Sequence, residues 1–209
     1  MITTFEELVE YLKPVINKEI FSMIHFNTKA MSLLNDTEGI EGFMGVNIRG
    51  TDYDIPEGIY IKNNLYLNQV FNYYIKIGRI ALLNKVETLM INHNILQPNE
   101  KINPILWACR MVFHEIGHVV DFNDSKCRDI KEFSLREKNE RINYEVIKNQ
   151  LKKDVQTKLR FGKHVSKNEI AKVNDKIEEL YRNIPSEKFA DNYALDVIAN
   201  NIEMIRKLF

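Results

Sequence analysis

PILWACRMVFHEIGHVVD, residues 104–121, is the stretch on which the reading of this chain turns. Trp107, Met111, Val112 and Val119 recur at helical spacing, and Pro104 suits a first helical turn, where its missing N–H costs nothing. A single helix is predicted from Pro104 to about Asp121. Within it His114 and His118 stand four residues apart, so both imidazoles project from one face and can converge on one ion. Glu115 is offset from His114 by about 100°, beside the ion rather than on it. There it can act as general base toward water that the metal activates. With five histidines in the chain, the H-E-x-x-H spacing arises in roughly one shuffled chain in a hundred. A pair of surface or core histidines is the bland alternative. Against it, Val112, Phe113, Ile116 and Val119 make the flanks apolar, and Gly117 permits another element to approach between the histidines.

A catalytic zinc site has three protein ligands and one open position, so a third ligand must come from elsewhere. Ser186-Glu187-Lys188-Phe189-Ala190-Asp191 supplies the candidate. Glu187 can bind the metal. Asp191, four residues on and on the same face, can accept the outer N–H of a ligating histidine, and Ala190 is small enough for two helices to come close. Most other glutamates sit in charged stretches such as 137–145, where a solvated helix face is the simpler reading. Glu187 could instead be an acidic residue favoured near a helix N-terminus. Asp121 is the rival ligand, three residues after His118 on nearly the same face. Its short side chain lies a turn past the ion, which favours a hydrogen-bonding role next to the ligands.

The pair H-E-x-x-H and E-x-x-x-D resembles the gluzincin zinc metallopeptidases. More narrowly, His114 to Asp121 and Ser186 to Asp191 are similar to the signatures of anthrax lethal factor-like peptidases and the related Pro-Pro endopeptidases. The resemblance implies a zincin-like fold and one zinc per chain held by His114, His118 and Glu187, with Glu115 as catalytic base. It also implies a tyrosine upstream of the third ligand that stabilises the oxyanion; Tyr181 stands near that place, with Tyr193 as a rival. An edge strand that pairs with an extended peptide is implied too, with Leu65, Tyr66, Leu67 and Asn68 as its candidate. Sixty-eight residues separate His118 from Glu187, longer than these families usually have.

The rest of the chain reads as α+β, mainly helical with a small sheet, and as one domain over residues 1–209. Thr4 and Glu7 have the spacing of a capping box, and Phe5, Leu8, Val9, Leu12, Val15, Ile16 and Ile20 continue a helical period. The glycine-punctuated stretch 39–58 suggests short strands. Ile59 to Leu67 predicts a hairpin turning on Asn63-Asn64. Residues 70–93 are long enough to favour helix. Residues 124–184 read as a charged helical hairpin inserted between the two motifs: Phe161-Gly162 closes one helix, and Ser166 with Glu169 opens the next. A last helix starts at Pro185, bears Glu187 and runs nearly to Phe209.

Composition narrows the function further. Lys plus Arg and Asp plus Glu number 29 each, so no whole-chain field draws the protein to nucleic acid or anionic lipid. Residues 148–172 hold eight Lys or Arg against two acidic residues, yet without stacking aromatics a solvated face is favoured over nucleic-acid contact. Phe71-Asn72-Tyr73-Tyr74 reads as core packing, and His25, His93 and His164 as isolated residues. Acidic residues near the start and the lack of any run of about 18 apolar residues argue for a cytoplasmic protein without a membrane span. Cys109 and Cys127 have neither metal-finger nor disulfide-scaffold spacing. The expected function is a zinc endopeptidase acting on a protein or peptide substrate. Its alternatives are an ImmA-like intracellular peptidase of a mobile element that cleaves a regulator, and a non-catalytic, zinc-stabilised binding or virion-associated module.

Overall fold

Thr4 starts the first helix, α1 (Phe5–Leu12). Its hydroxyl accepts the Glu7 N–H, while the Glu7 carboxylate accepts the N–H groups of Thr3 and Thr4, satisfying donors that a helix start leaves without intrahelical partners. In this computed structural model the described residues are 2–35, 42–47, 55–77, 79–127, 130–162 and 164–209. Phe5, Leu8, Val9 and Leu12 are buried, as their spacing predicts. The same period does not continue unbroken to Ile20. Pro14 sits in a 3-10 turn, Lys13–Val15, and Ile16 is extended at φ −93°, ψ 133°. Asn17 then restarts the helix, its side-chain oxygen accepting from the Glu19 and Ile20 N–H groups to cap α2 (Lys18–Ser22).

Among the described residues the sheet has three strands. β1 (Ile24–Phe26) precedes α3 (Thr28–Asn35), and β2 (Met44–Asn47) and β3 (Gly58–Ile61) follow. Of the glycine-punctuated stretch, residues 39–41 and 48–54 lie outside the described residues. β3 is central: β1 pairs with it in parallel, with Ile24 opposite Ile59, and β2 antiparallel, with Met44 opposite Ile61. All four β3 residues are buried, which suits its continuous apolar run better than an alternating pattern would.

That order corrects the expected hairpin. Both edges of β3 are already occupied, so Leu65, Tyr66, Leu67 and Asn68 do not return beside it and form no edge strand. Asn64 turns the chain with φ 57°, and Tyr66 makes one isolated antiparallel bridge to Thr4. Leu67 and Asn68 are the first turn of a helix, α4 (Leu67–Lys76). The helical period won locally because Leu67, Val70, Phe71 and Tyr74 present one apolar face, and Phe71 and Tyr74 meet Trp107 edge-on, with centroids 6.5 and 5.1 Å away.

The single helix expected over residues 70–93 is two, α4 and α5 (Ile80–Asn92); residue 78 between them lies outside the described residues. α6 (Pro104–Asp124) follows. Its N-cap is Asn103, whose side chain accepts the Leu106 N–H, and it extends one turn beyond its expected end at Asp121. Leu106, Trp107, Ala108, Cys109, Val112, Phe113, Ile116 and Val119 are all 2 % exposed or less. At about 1.5–3 kcal/mol for each large side chain fully buried, this helix anchors its core.

By contact density the chain divides into two compact units, one comprising Met1–Lys126 with Phe189–Phe209, the other Cys127–Lys188. The second holds α7 (Ile130–Arg160) and α8 (Lys167–Arg182). Gly162, at φ 67°, follows α7, and Ser166 with Glu169 forms a capping box at the start of α8. Tyr144 and Tyr181 meet at 5.6 Å between ring centroids, and Lys158 pairs with Glu169 at 3.3 Å. α9 (Pro185–Asn200) begins in this unit and runs into the first. The expected single last helix breaks at Asn201, whose side-chain N–H₂ donates back to the Val197 carbonyl before α10 (Ile202–Ile205) and a final 3-10 turn. Among the described residues no helix is long and apolar enough to cross a membrane.

Cys109 tests the core placement of α6. Burial pushes its thiol up to about 12, so at pH 8 it should stay protonated and inert to a thiol-directed reagent while the half-buried Cys127 reacts. A colorimetric thiol count should rise from one to two on unfolding; two fast thiols in the native protein would contradict the core described here.

Candidate metal centre

The i, i+4 spacing on α6 stacks His114 and His118 one turn apart, with ring centroids 4.9 Å apart and planes at 85°. His114 is 5 % exposed and His118 half-buried. On α9, Glu187 stands in the first turn and is 1 % exposed, with Asp191 one turn further on. What lets these helices approach is the absence of side chains between them. A Cβ on Gly117 would lie 2.7 Å from the Ala190 Cα and 3.1 Å from its carbonyl oxygen, so only glycine fits opposite Ala190.

His114, His118 and Glu187 each direct a possible ligand atom into one place, all within 4.8 Å of one another. Two imidazoles and a carboxylate make a donor set that suits a divalent ion of zinc's preferences, and a buried carboxylate beside buried imidazole is otherwise costly. The group could hold a metal ion. Asp191 meets the same imidazole: its Oδ1 lies 2.8 Å from His114 Nδ1, a distance at which the carboxylate can steady the ring.

Two carboxylates of α9, Glu187 and Asp191, are each met by an arginine. Arg110, 2 % exposed and one turn before His114 on α6, donates from Nη2 to Asp191 Oδ1. Arg141 on α7 reaches Glu187 Oε1 at 2.6 Å. Burial works against the Arg141 charge, but the neighbouring Glu187 and Tyr181 outweigh it and raise its pKa. Burial first, and then the charge of the nearby Glu187, pushes the Tyr181 phenol far above its ordinary value, so it keeps its proton.

Glu115 follows His114 directly on α6 and is half-buried. Asp121 lies further along the same helix and is not one of the three convergent residues. Tyr193, half-buried, packs against the core of the first unit, its phenol raised by burial and then by Asp124. His25 packs on Tyr60 at 5.0 Å, and His93 Nδ1 lies 2.8 Å from the Leu89 carbonyl oxygen. Neither arginine figured among the residues singled out from sequence. Arg110 carried a usable signal, since a lone cation among Ala108, Cys109, Val112 and Phe113, four residues before a candidate ligand, must be paired if buried. Arg141 carried none, because in a helix as charged as α7 it looks like any solvated residue.

No family of known sequences, no curated protein and no solved structure matches this chain.

The contact at Gly117 can be tested directly. Helix propensity alone would favour alanine there by about 1 kcal/mol, but the Cβ must displace the Ala190 backbone, and overpacking of this kind costs about 1–3 kcal/mol. Gly117→Ala should therefore lower the melting temperature despite its better propensity, and weaken metal uptake as α6 and α9 move apart. A variant that melts higher and binds metal as the parent does would show that the helices are not so closely apposed.

Proposed function

We propose that the chain is a zinc-dependent endopeptidase with a zincin-like catalytic centre, held by His114, His118 and Glu187 and served by Glu115 as general base. One observation carries this reading: the two histidines of H-E-x-x-H and a buried glutamate 69 positions after His118 converge within 4.8 Å, with Asp191 at 2.8 Å behind His114. A structural pair of histidines would need neither the buried glutamate nor the carboxylate behind the ring. When bound, zinc would supply a Lewis acid and lower the pKa of water toward about 7.

The residues of the chain do the rest. Asp191 orients His114, and Arg141 holds the Glu187 carboxylate in place. Glu115, adjacent to His114 but turned about 100° round the helix, receives the proton from the attacking water and returns it to the leaving amine. Tyr181, protonated and near Glu187, is the candidate donor to the oxyanion. The substrate is an extended segment of protein or peptide.

Two experiments test the reading. By elemental mass spectrometry, protein purified without a histidine tag should carry one zinc per chain, lost in Glu187→Ala and kept in Asp121→Ala. An untagged parent free of zinc would remove the basis for catalysis. In a peptide-library assay, Glu115→Gln should keep its zinc and lose about 10²–10⁴-fold in cleavage rate, since the base goes and the ligands stay. Cleavage retained by Glu115→Gln would instead point to a zinc-stabilised binding module or a different base.

A further inference from the structure

We infer that Arg110 is a positioning residue of the metal centre, acting on His114 through Asp191; the inference rests on the zinc reading given above. Arg110 is 2 % exposed, in a helix whose other buried residues are apolar except His114. A guanidinium cannot shed its charge, so its burial requires an anionic partner and directional hydrogen bonds. That partner is Asp191 Oδ1, the same oxygen that lies 2.8 Å from His114 Nδ1. The guanidinium is braced from its own helix as well, 5.6 Å above the Trp107 ring and with Nη1 3.5 Å from Met111 Sδ.

Arg110 and His114 are themselves four residues apart, so they stand one above the other on one face of α6 and reach for one carboxylate oxygen of α9. This makes a relay of fixed geometry. The planar guanidinium sets where Oδ1 lies, and Oδ1, 2.8 Å from His114 Nδ1, sets how the ring is turned toward the ion. Without Arg110 the Asp191 side chain could rotate, and the imidazole would lose the carboxylate that steadies it. A role confined to joining α6 to α9 predicts something different: a drop in stability with the metal affinity of the folded protein unchanged.

The two are separated by a double-mutant cycle read as zinc affinity, measured by chelator competition on protein shown to be folded by circular dichroism. Arg110→Met should weaken zinc binding by about 10- to 100-fold, the range typical of residues that orient a metal ligand, and Asp191→Asn by a similar factor. Arg110→Met combined with Asp191→Asn removes both charges and so leaves no unpaired ion in the core. Because Arg110 acts only through Asp191, the double variant should bind zinc no more weakly than Asp191→Asn alone. Parental affinity in folded Arg110→Met, or losses that multiply in the double variant, would overturn the inference. Should Arg110→Met fail to fold, the comparison of Asp191→Asn with the double variant decides it: equal affinities support the relay, and a further tenfold loss rejects it. A parent that binds no zinc overturns the reading beneath the inference, whereas a parent whose zinc depends on His114 but not on Arg110 overturns the inference alone.

Discussion

Gly117 and Ala190 set the distance at which α6 and α9 meet, and everything at the candidate centre is built on that distance. Side chains as short as Asp191 reach only a few ångströms from their backbone. For Asp191 to lie 2.8 Å from His114, the two helices must approach until a Cβ on Gly117 has no room beside the Ala190 Cα. Close packing of this kind is bistable rather than elastic: a methyl group does not compress the contact but displaces one helix. The geometry of the candidate centre is thus decided by two residues that carry no chemistry.

The second constraint is electrostatic. Two carboxylates one turn apart on α9 repel each other, and burial makes each more expensive. Each is met by a guanidinium, Arg110 for Asp191 and Arg141 for Glu187. Balanced charge offsets the cost of burying both acids on α9. Arginine suits these places better than lysine, because its fork fixes direction as well as charge. Tyr181 lies near Glu187, its proton held tightly by burial and by that carboxylate's charge.

Local signals survived intact into the structure wherever the residues concerned answer one another within a turn. The boxes at Thr4 and Glu7 and at Ser166 and Glu169 form because each partner lies three residues from the other. Asn103 and Pro104 start α6 on the same basis. Signals failed where neighbours in space decide. Leu65 to Asn68 has the composition of a strand, but β1 and β2 already flank β3, and the apolar face of Leu67, Val70 and Phe71 is drawn to Trp107 instead. The break at Asn201 is similar, for nothing in Ile198, Ile202 and Ile205 distinguishes one helix from two that share a core.

By itself, then, the sequence determined a mainly helical α+β chain, the single face on which His114 and His118 stand, the place of Glu115 beside them, and the presence of a later helix bearing Glu187 and Asp191. These follow from the 3.6-residue period, which links residues by their spacing alone. Tertiary structure decided which acid joins the histidines, which oxygen meets His114 Nδ1, and which arginines neutralise α9. Such pairings span 46 to 81 residues of chain, and no periodicity reaches that far; they exist only once α6 and α9 have been brought together by the burial of the apolar side chains around them.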